Sequence, residues 1–191
     1  VYNAALFVEK AVTSALFHSE VKEIVVVNDG STDNSLPILQ KLQQSDARIK
    51  IYHHENNSNK GRSASRNLAL KKATQPFIAF LDADDFYLEN RFENDLKLFE
   101  SDSSIDGVYN AIGVCFYRSA TQEEKNELNL TTVRENILPV NLFEELLSGK
   151  KGYFSIDGLV IKKQVFDRIG YFNEELLVAE DTELILKMAL R

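Results

Sequence analysis

The sequence has one cysteine, Cys115, no tryptophan and three prolines. A single thiol excludes an intrachain disulfide framework and points to a reducing compartment. No apolar run is long enough to span a bilayer, and no signal peptide opens the sequence. Basic residues are also scarce: 22 Lys and Arg stand against 29 Asp and Glu, a net charge of −7. Binding a phosphate backbone needs a basic face, so nucleic acid is excluded as the main partner. Together these absences place the chain in the cytoplasm, or at the cytoplasmic face of a membrane through parts outside this stretch. Asn56-Asn57-Ser58 and Asn129-Leu130-Thr131 match the glycosylation pattern, but without a secretion signal they are incidental. What is present is ordinary for a globular protein: 191 residues, 44% hydrophobic and 27% charged, enough for one domain with a real core.

In chain order, Val8, Ala11, Val12, Ala15 and Leu16 recur at helical spacing and predict an amphipathic helix. Strands follow at Glu23–Val27 and Ile49–His53, with a helix between them over about Ser35–Gln44. A helix over Ser63–Ala73 leads to the apolar run that opens at Phe77, just after Pro76. Strand, loop and helix repeated in this way predict an α/β domain with a mostly parallel sheet. The later half is less regular: a helix over Leu88–Phe99, a strand over Gly107–Tyr117, and a polar stretch Arg118–Asn136 that reads as a mobile flap. Asn141 and Glu144 resemble a capping box for a short helix that stops at Gly149. A strand at Gly158–Lys162, a helix at Gln164–Ile169 and a final helix from Glu180 to Arg191 complete the expectation. Val1-Tyr2-Asn3 starts in a loop and Arg191 ends in an unfinished helix, so both ends read as cut.

Chemistry concentrates where apolar strands end. Phe77-Ile78-Ala79-Phe80-Leu81 delivers Asp82-Ala83-Asp84-Asp85 to a sheet edge, where open α/β folds bind ligands. Crowded carboxylates suit a hard cation such as Mg²⁺ or Mn²⁺, though an acidic loop capping the next helix would look the same. Asp29, with Gly30, Ser31 and Thr32, ends the first strand and can accept an N–H from a base edge, unless it is an ordinary turn. Asn59-Lys60-Gly61-Arg62 opens a helix that can hold a phosphate, or is a solvated basic loop. Asp181 shares a helix face with Leu184, Ile185 and Met188, which points it to the core side; Glu180 fits better as a charge complementing the helix dipole. His53 and His54 are adjacent on a strand and face opposite sides, so they do not share a metal. His18, His53 and His54 read as structural or exposed, and Cys115 as a core residue.

Taken together, Val1-Tyr2-Asn3, Val27-Asn28-Asp29-Gly30-Ser31-Thr32-Asp33, Asn59-Lys60-Gly61 with Arg66-Asn67, Leu81-Asp82-Ala83-Asp84-Asp85, and Glu180-Asp181 resemble the family 2 glycosyltransferases. These are inverting enzymes of the GT-A fold. The resemblance implies a Rossmann-like, mostly parallel sheet flanked by helices, with a nucleotide-sugar half over about 1–106 and a less regular acceptor half over about 107–191. It implies that Asp29 binds the nucleotide base, usually uracil, that Asp82 lies near the ribose, and that Asp84 bridges a Mn²⁺ or Mg²⁺ ion to the diphosphate. Tyr2, Gly30, Ser31, Lys60, Arg66 and Ala83 fall in the same nucleotide-sugar site, Asp181 matches the catalytic base, and Asp85 and Glu180 lie on the acceptor side. The partners implied are a UDP-sugar donor and a glycan or lipid-linked acceptor of surface polysaccharide or glycoconjugate synthesis. Two departures matter. The apolar strand that usually precedes Tyr-Asn, expected in the middle of the sheet, is absent. So is the Q-x-x-R-W motif of processive synthases, which favours a non-processive transferase. Two other classes compete: a haloacid-dehalogenase-type phosphatase, which also places D-x-D after a strand, and a non-catalytic sugar- or nucleotide-binding module.

Overall fold

Helix and strand alternate through the first half in a computed structural model that describes residues 1–128 and 130–190. Asn129, in the second glycosylation pattern, and Arg191, the expected end of the last helix, lie outside the described residues. The elements are α1 (Val8–Leu16), β1 (Ile24–Asn28), α2 (Ser35–Ser45), β2 (Ile49–His53), α3 (Gly61–Lys72) and β3 (Phe77–Ala79). α1 buries Val8, Ala11, Val12 and Ala15, four of the five residues its spacing singles out, and leaves Leu16 half-buried. Pro37 sits in the first turn of α2, where its missing N–H removes no helical hydrogen bond. β1 and β2 pair in parallel, with Ile24 opposite Ile49 and Asn28 opposite His53. Val8, Val12, Val26, Leu39 and Ile49 form the core between this pair and its helices.

The α/β class is as expected, but the strands pair differently from one mostly parallel sheet. β3 pairs antiparallel with β5 (Leu159–Lys162), which pairs antiparallel with β4 (Gly107–Tyr109), in the order β3-β5-β4. Between β1 and β3 lies an apolar cavity of about 630 Å³, lined by Ile24–Val27, Phe77–Phe80, Val8, Val12 and Leu70. The separation explains why the third strand does not extend the parallel pair. The parallel pair β1–β2 and the antiparallel sheet β3-β5-β4 stand on either side of the cavity. At the cavity Val1 already follows a parallel ladder: its N–H group donates to Val27 O at 2.7 Å, and its carbonyl accepts from Asp29 N at 2.8 Å.

The second half holds α4 (Asp95–Ser101), α5 (Gln122–Glu127), α6 (Pro139–Ser148), α7 (Val165–Ile169) and α8 (Glu180–Ala189). Phe80, Phe154, Ile156, Phe166, Phe172 and Leu184 pack as its core. Several expectations change here. The helix expected from Leu88 starts only at Asp95; residues 88–93 instead make successive turns, Arg91 N to Leu88 O and Glu93 N to Asn90 O. Asn90 and Asn94 favour such local turns over helix. The strand from Gly107 ends at Tyr109, and Cys115 beyond it is exposed, so it is not a core residue. The polar stretch expected as a mobile flap without a clear period contains a helix the sequence analysis did not anticipate, α5, with a capping box between Thr121 and Glu124. α6 begins at Pro139, ahead of the Asn141–Glu144 box, because proline at the first position is pre-set for a helix. It ends at Gly149, whose φ of +64° is the left-handed conformation that glycine supplies.

Candidate active site

Asp29 follows the last residue of β1 and is 5% exposed. Its two carboxylate oxygens accept the backbone N–H of Lys60 at 2.6 Å and of Gly61 at 3.0 Å, so it caps α3 from across the site. An anion suits a helix N-terminus, and those two N–H groups are thereby taken rather than left for a phosphate. His54 Nε2 is 3.5 Å from the same carboxylate and 3.0 Å from Ser65 Oγ, a structural setting for that histidine. The loop after Asp29 is laced to the N-terminal residues. Asn3 Oδ1 accepts Thr32 N at 2.8 Å, Ser31 Oγ accepts Asn3 N at 3.1 Å, and Ser35 Oγ accepts Ala4 N at 2.8 Å. Tyr2 stands out from this lacing, 53% exposed.

Gly30 makes the close approach possible. Its φ is +74°, and a Cβ there would lie 2.7 Å from Asn57 O and 2.9 Å from Asn59 N. Gly30→Ala is therefore expected to destabilise the fold by about 1–3 kcal/mol, read as a lower midpoint in thermal unfolding. An unchanged midpoint would contradict the packing of the Asn57–Asn59 turn against this loop.

The acidic loop after β3 is the second part of the site. Asp82, Asp85 and Asp157 each offer an oxygen, and the three oxygens lie within 4.8 Å of one another. Asp157 comes from the 3-10 turn at Ile156–Gly158, just before β5, and its Oδ1 accepts Asp82 N at 2.9 Å. Burial first, and the charge of Asp82 second, push Asp157 up to about 7. Burial, then Asp84 and Asp82, also raise Asp85. Carboxyls pushed up by one another are short of positive charge, and an all-oxygen set suits a hard divalent cation, so these residues fit Mg²⁺ or Mn²⁺. Asp84 is exposed and lies outside that trio, while Ala83 packs against the β1–β2 core.

Arg66, on α3, joins the acidic loop to α8. Its NH2 donates to Asp82 Oδ1 and its NH1 to Glu180 Oε1, both at 2.7 Å. Arg62 Nε is 3.5 Å from the same Glu180 oxygen, whereas Lys60 is exposed. The burial of the Glu180-Asp181 pair reverses the expectation. Glu180 is 1% exposed and Asp181 half-buried. Glu180 shares its face with Leu184, four residues on and 0% exposed, and Arg66 supplies the counter-charge that an inward carboxylate needs. Among the described residues Asp181 Oδ1 accepts from its neighbour alone, Thr182 N at 2.7 Å and Thr182 Oγ1 at 3.5 Å.

The structure thus gathers Asp29, Gly30, Lys60, Arg66, Asp82 and Glu180 around the N-terminal half of α3, while Ser31 bonds to Val1 and Asn3. Asp157 was missed by the sequence reading. Its signal is the pair Asp157-Gly158, which repeats Asp29-Gly30 at the mouth of a strand rather than at its end. Residues 1–171 match the profile described as Glycosyl transferase family 2. The chain belongs to that family. An uncharacterized glycosyltransferase of Rickettsia felis is 32% identical over 194 residues, covering 98% of this chain and 30% of the relative. The chain thus spans less than a third of the length of that relative. The crystal structure of S. aureus TarS 1-349 in complex with UDP-GlcNAc superposes with a TM-score of 0.75 at 24% identity, over 100% of this chain and 51% of that one. A mannosyltransferase of Pyrobaculum calidifontis, solved with GDP-Man and Mn²⁺, gives 0.63 at 18% identity, over 96% of this chain and 48% of that one. Family 2 membership and the GT-A fold set the phosphatase alternative aside. Among the described residues no helix is long and apolar enough to cross a membrane.

Proposed function

We propose that this chain binds a nucleotide sugar, with UDP as the nucleotide, and transfers the sugar with inversion to an acceptor hydroxyl. The acceptor we propose is a glycan or lipid-linked glycan of surface polysaccharide synthesis. The observation that carries this reading is the convergence on α3 of the Asp29 loop, the Asp82 loop and the start of α8. Family membership and a fold neighbour solved with UDP-GlcNAc support it.

Asp29 holds the base side: each of its oxygens keeps a second lone pair for an N–H of uracil, while its bonds to Lys60 and Gly61 fix its orientation. Tyr2, Gly30, Ser31 and Lys60 form the wall beside it. Asp82, Asp84, Asp85 and Asp157 are the residues that would hold a divalent cation. That ion would neutralise charge on the departing diphosphate. Arg66 keeps Asp82 oriented toward the ribose side. Asp181 takes the proton from the acceptor hydroxyl as that oxygen attacks the anomeric carbon. One displacement gives inversion.

The test is a thermal-shift screen of nucleotide sugars with and without Mn²⁺. UDP-sugars are expected to raise the unfolding midpoint only when the metal is present. No shift with any nucleotide sugar would overturn the reading. A nucleotide-sugar hydrolysis assay separates it from a binding module without catalysis.

A further inference from the structure

Two consecutive residues of α3, Arg66 and Asn67, grip the two ends of one exposed segment. Asn67 is 4% exposed and binds Phe172 in both directions: Asn67 Nδ2 donates to Phe172 O at 2.9 Å, and Phe172 N donates to Asn67 Oδ1 at 2.9 Å. The same amide donates to Glu174 Oε1 at 2.8 Å. Arg66 lies over the Phe172 ring, 5.4 Å from its centroid, and binds Glu180 at the other end. Between these anchors the chain is loosely packed, with Leu177 86% and Val178 69% exposed. It enters α8 through Ala179 at φ +60°, a conformation that costs a residue with a Cβ about 1 kcal/mol or more and persists only when its surroundings enforce it.

Glu180 has a second unusual property. Its Oε2 is buried and has no hydrogen-bond partner among the described residues, although Arg66 occupies the other oxygen. A glutamate that served only to complement the helix dipole would do so at the surface, with both oxygens hydrated. Burying a half-satisfied carboxylate is costly, and Glu180 does so one residue before Asp181.

We propose that Glu180 is a positioning residue for Asp181, acting with Arg66 and Asn67 as one clamp that holds the segment 172–181 on α3. Because Arg66 also binds Asp82, the donor-side carboxylate and the start of α8 are referenced to the same guanidinium. Glu180 then touches no substrate; its effect on transfer comes through the orientation of Asp181. This rests on the reading of Asp181 as the base.

The test has two arms. In the first, hydrogen exchange of the unliganded protein is compared between wild type and Glu180→Gln. Amides at 173–179 and in the first turn of α8, including Glu183 N bonded to Ala179 O, are expected to exchange about tenfold faster, with β1 and β2 unchanged. Arg66→Lys, which keeps the charge and loses the fork, is expected to loosen the same amides and serves if Glu180→Gln does not fold. Unchanged exchange in both would overturn the clamp. In the second arm, UDP release from UDP-GlcNAc is measured with water as acceptor. Glu180→Gln is expected to lower kcat about tenfold with KM within about twofold, and to cost nothing further on the residual rate of Asp181→Asn. An equal further loss in that background would show that Glu180 acts independently of Asp181, against the proposal. If wild type released no UDP from any nucleotide sugar, the transferase reading would fail, while the exchange arm would still decide the clamp.

Discussion

Asp181→Asn is expected to lower sugar transfer by about 10²–10⁴-fold, the usual contribution of a general base, while UDP affinity stays within about threefold. Asparagine keeps the shape and the hydrogen bond to Thr182 N but cannot take a proton. Among the described residues the half-buried Asp181 carboxylate accepts hydrogen bonds from Thr182 alone, which leaves room for one from an acceptor hydroxyl. The loss should therefore fall on kcat rather than on donor binding, as separate steady-state constants would show. Glu180→Gln should be milder. Near wild-type transfer by Asp181→Asn at saturating acceptor would move the role to Glu180 or Asp85.

Removing divalent metal is expected to weaken UDP binding at least about tenfold, about 1.4 kcal/mol. In the proposed site the diphosphate approaches Asp82, Asp85 and Asp157, whose oxygens crowd within 4.8 Å; Arg66 pairs with Asp82, and Arg91 reaches the Asp157 backbone carbonyl rather than its carboxylate. Like charges at such spacing repel unless an ion lies between them. Asp84→Ala, beside the trio, is expected to remove most of the metal dependence, and Asp157→Ala, within it, to do the same. Calorimetry giving equal UDP affinity in EDTA and in Mn²⁺ would count against the arrangement.

Much of this site was legible because its residues follow local rules. The helix spacing of Val8, Ala11, Val12 and Ala15 marks α1, and the apolar runs before Asp29 and Asp82 mark strands that end in carboxylates. Asp157 is harder to read: the Asp157-Gly158 pair is a weak local trace, and what brings it to Asp82 is the antiparallel pairing of β5 with β3, which leaves none. The Glu180 and Asp181 faces were misjudged for a related reason. Three- and four-residue spacing admits both residues to the core side, and Arg66, on another helix, selects Glu180. The helix expected at Leu88 fails where Phe92 packs on His18 and Tyr87 from a turn, a contact that periodicity alone cannot distinguish from a helical one. The cavity between β1 and β3 separates the two sheets.

The most direct test of the account is anomalous diffraction at the manganese edge from crystals grown with UDP and Mn²⁺. One manganese peak is expected, with carboxylate oxygens from among Asp82, Asp85, Asp157 and the neighbouring Asp84 at about 2–2.6 Å and a diphosphate oxygen on its other side. The uracil should lie beside Asp29. A nucleotide bound away from α3, or one at this edge with no metal between it and the carboxylates, would contradict the account.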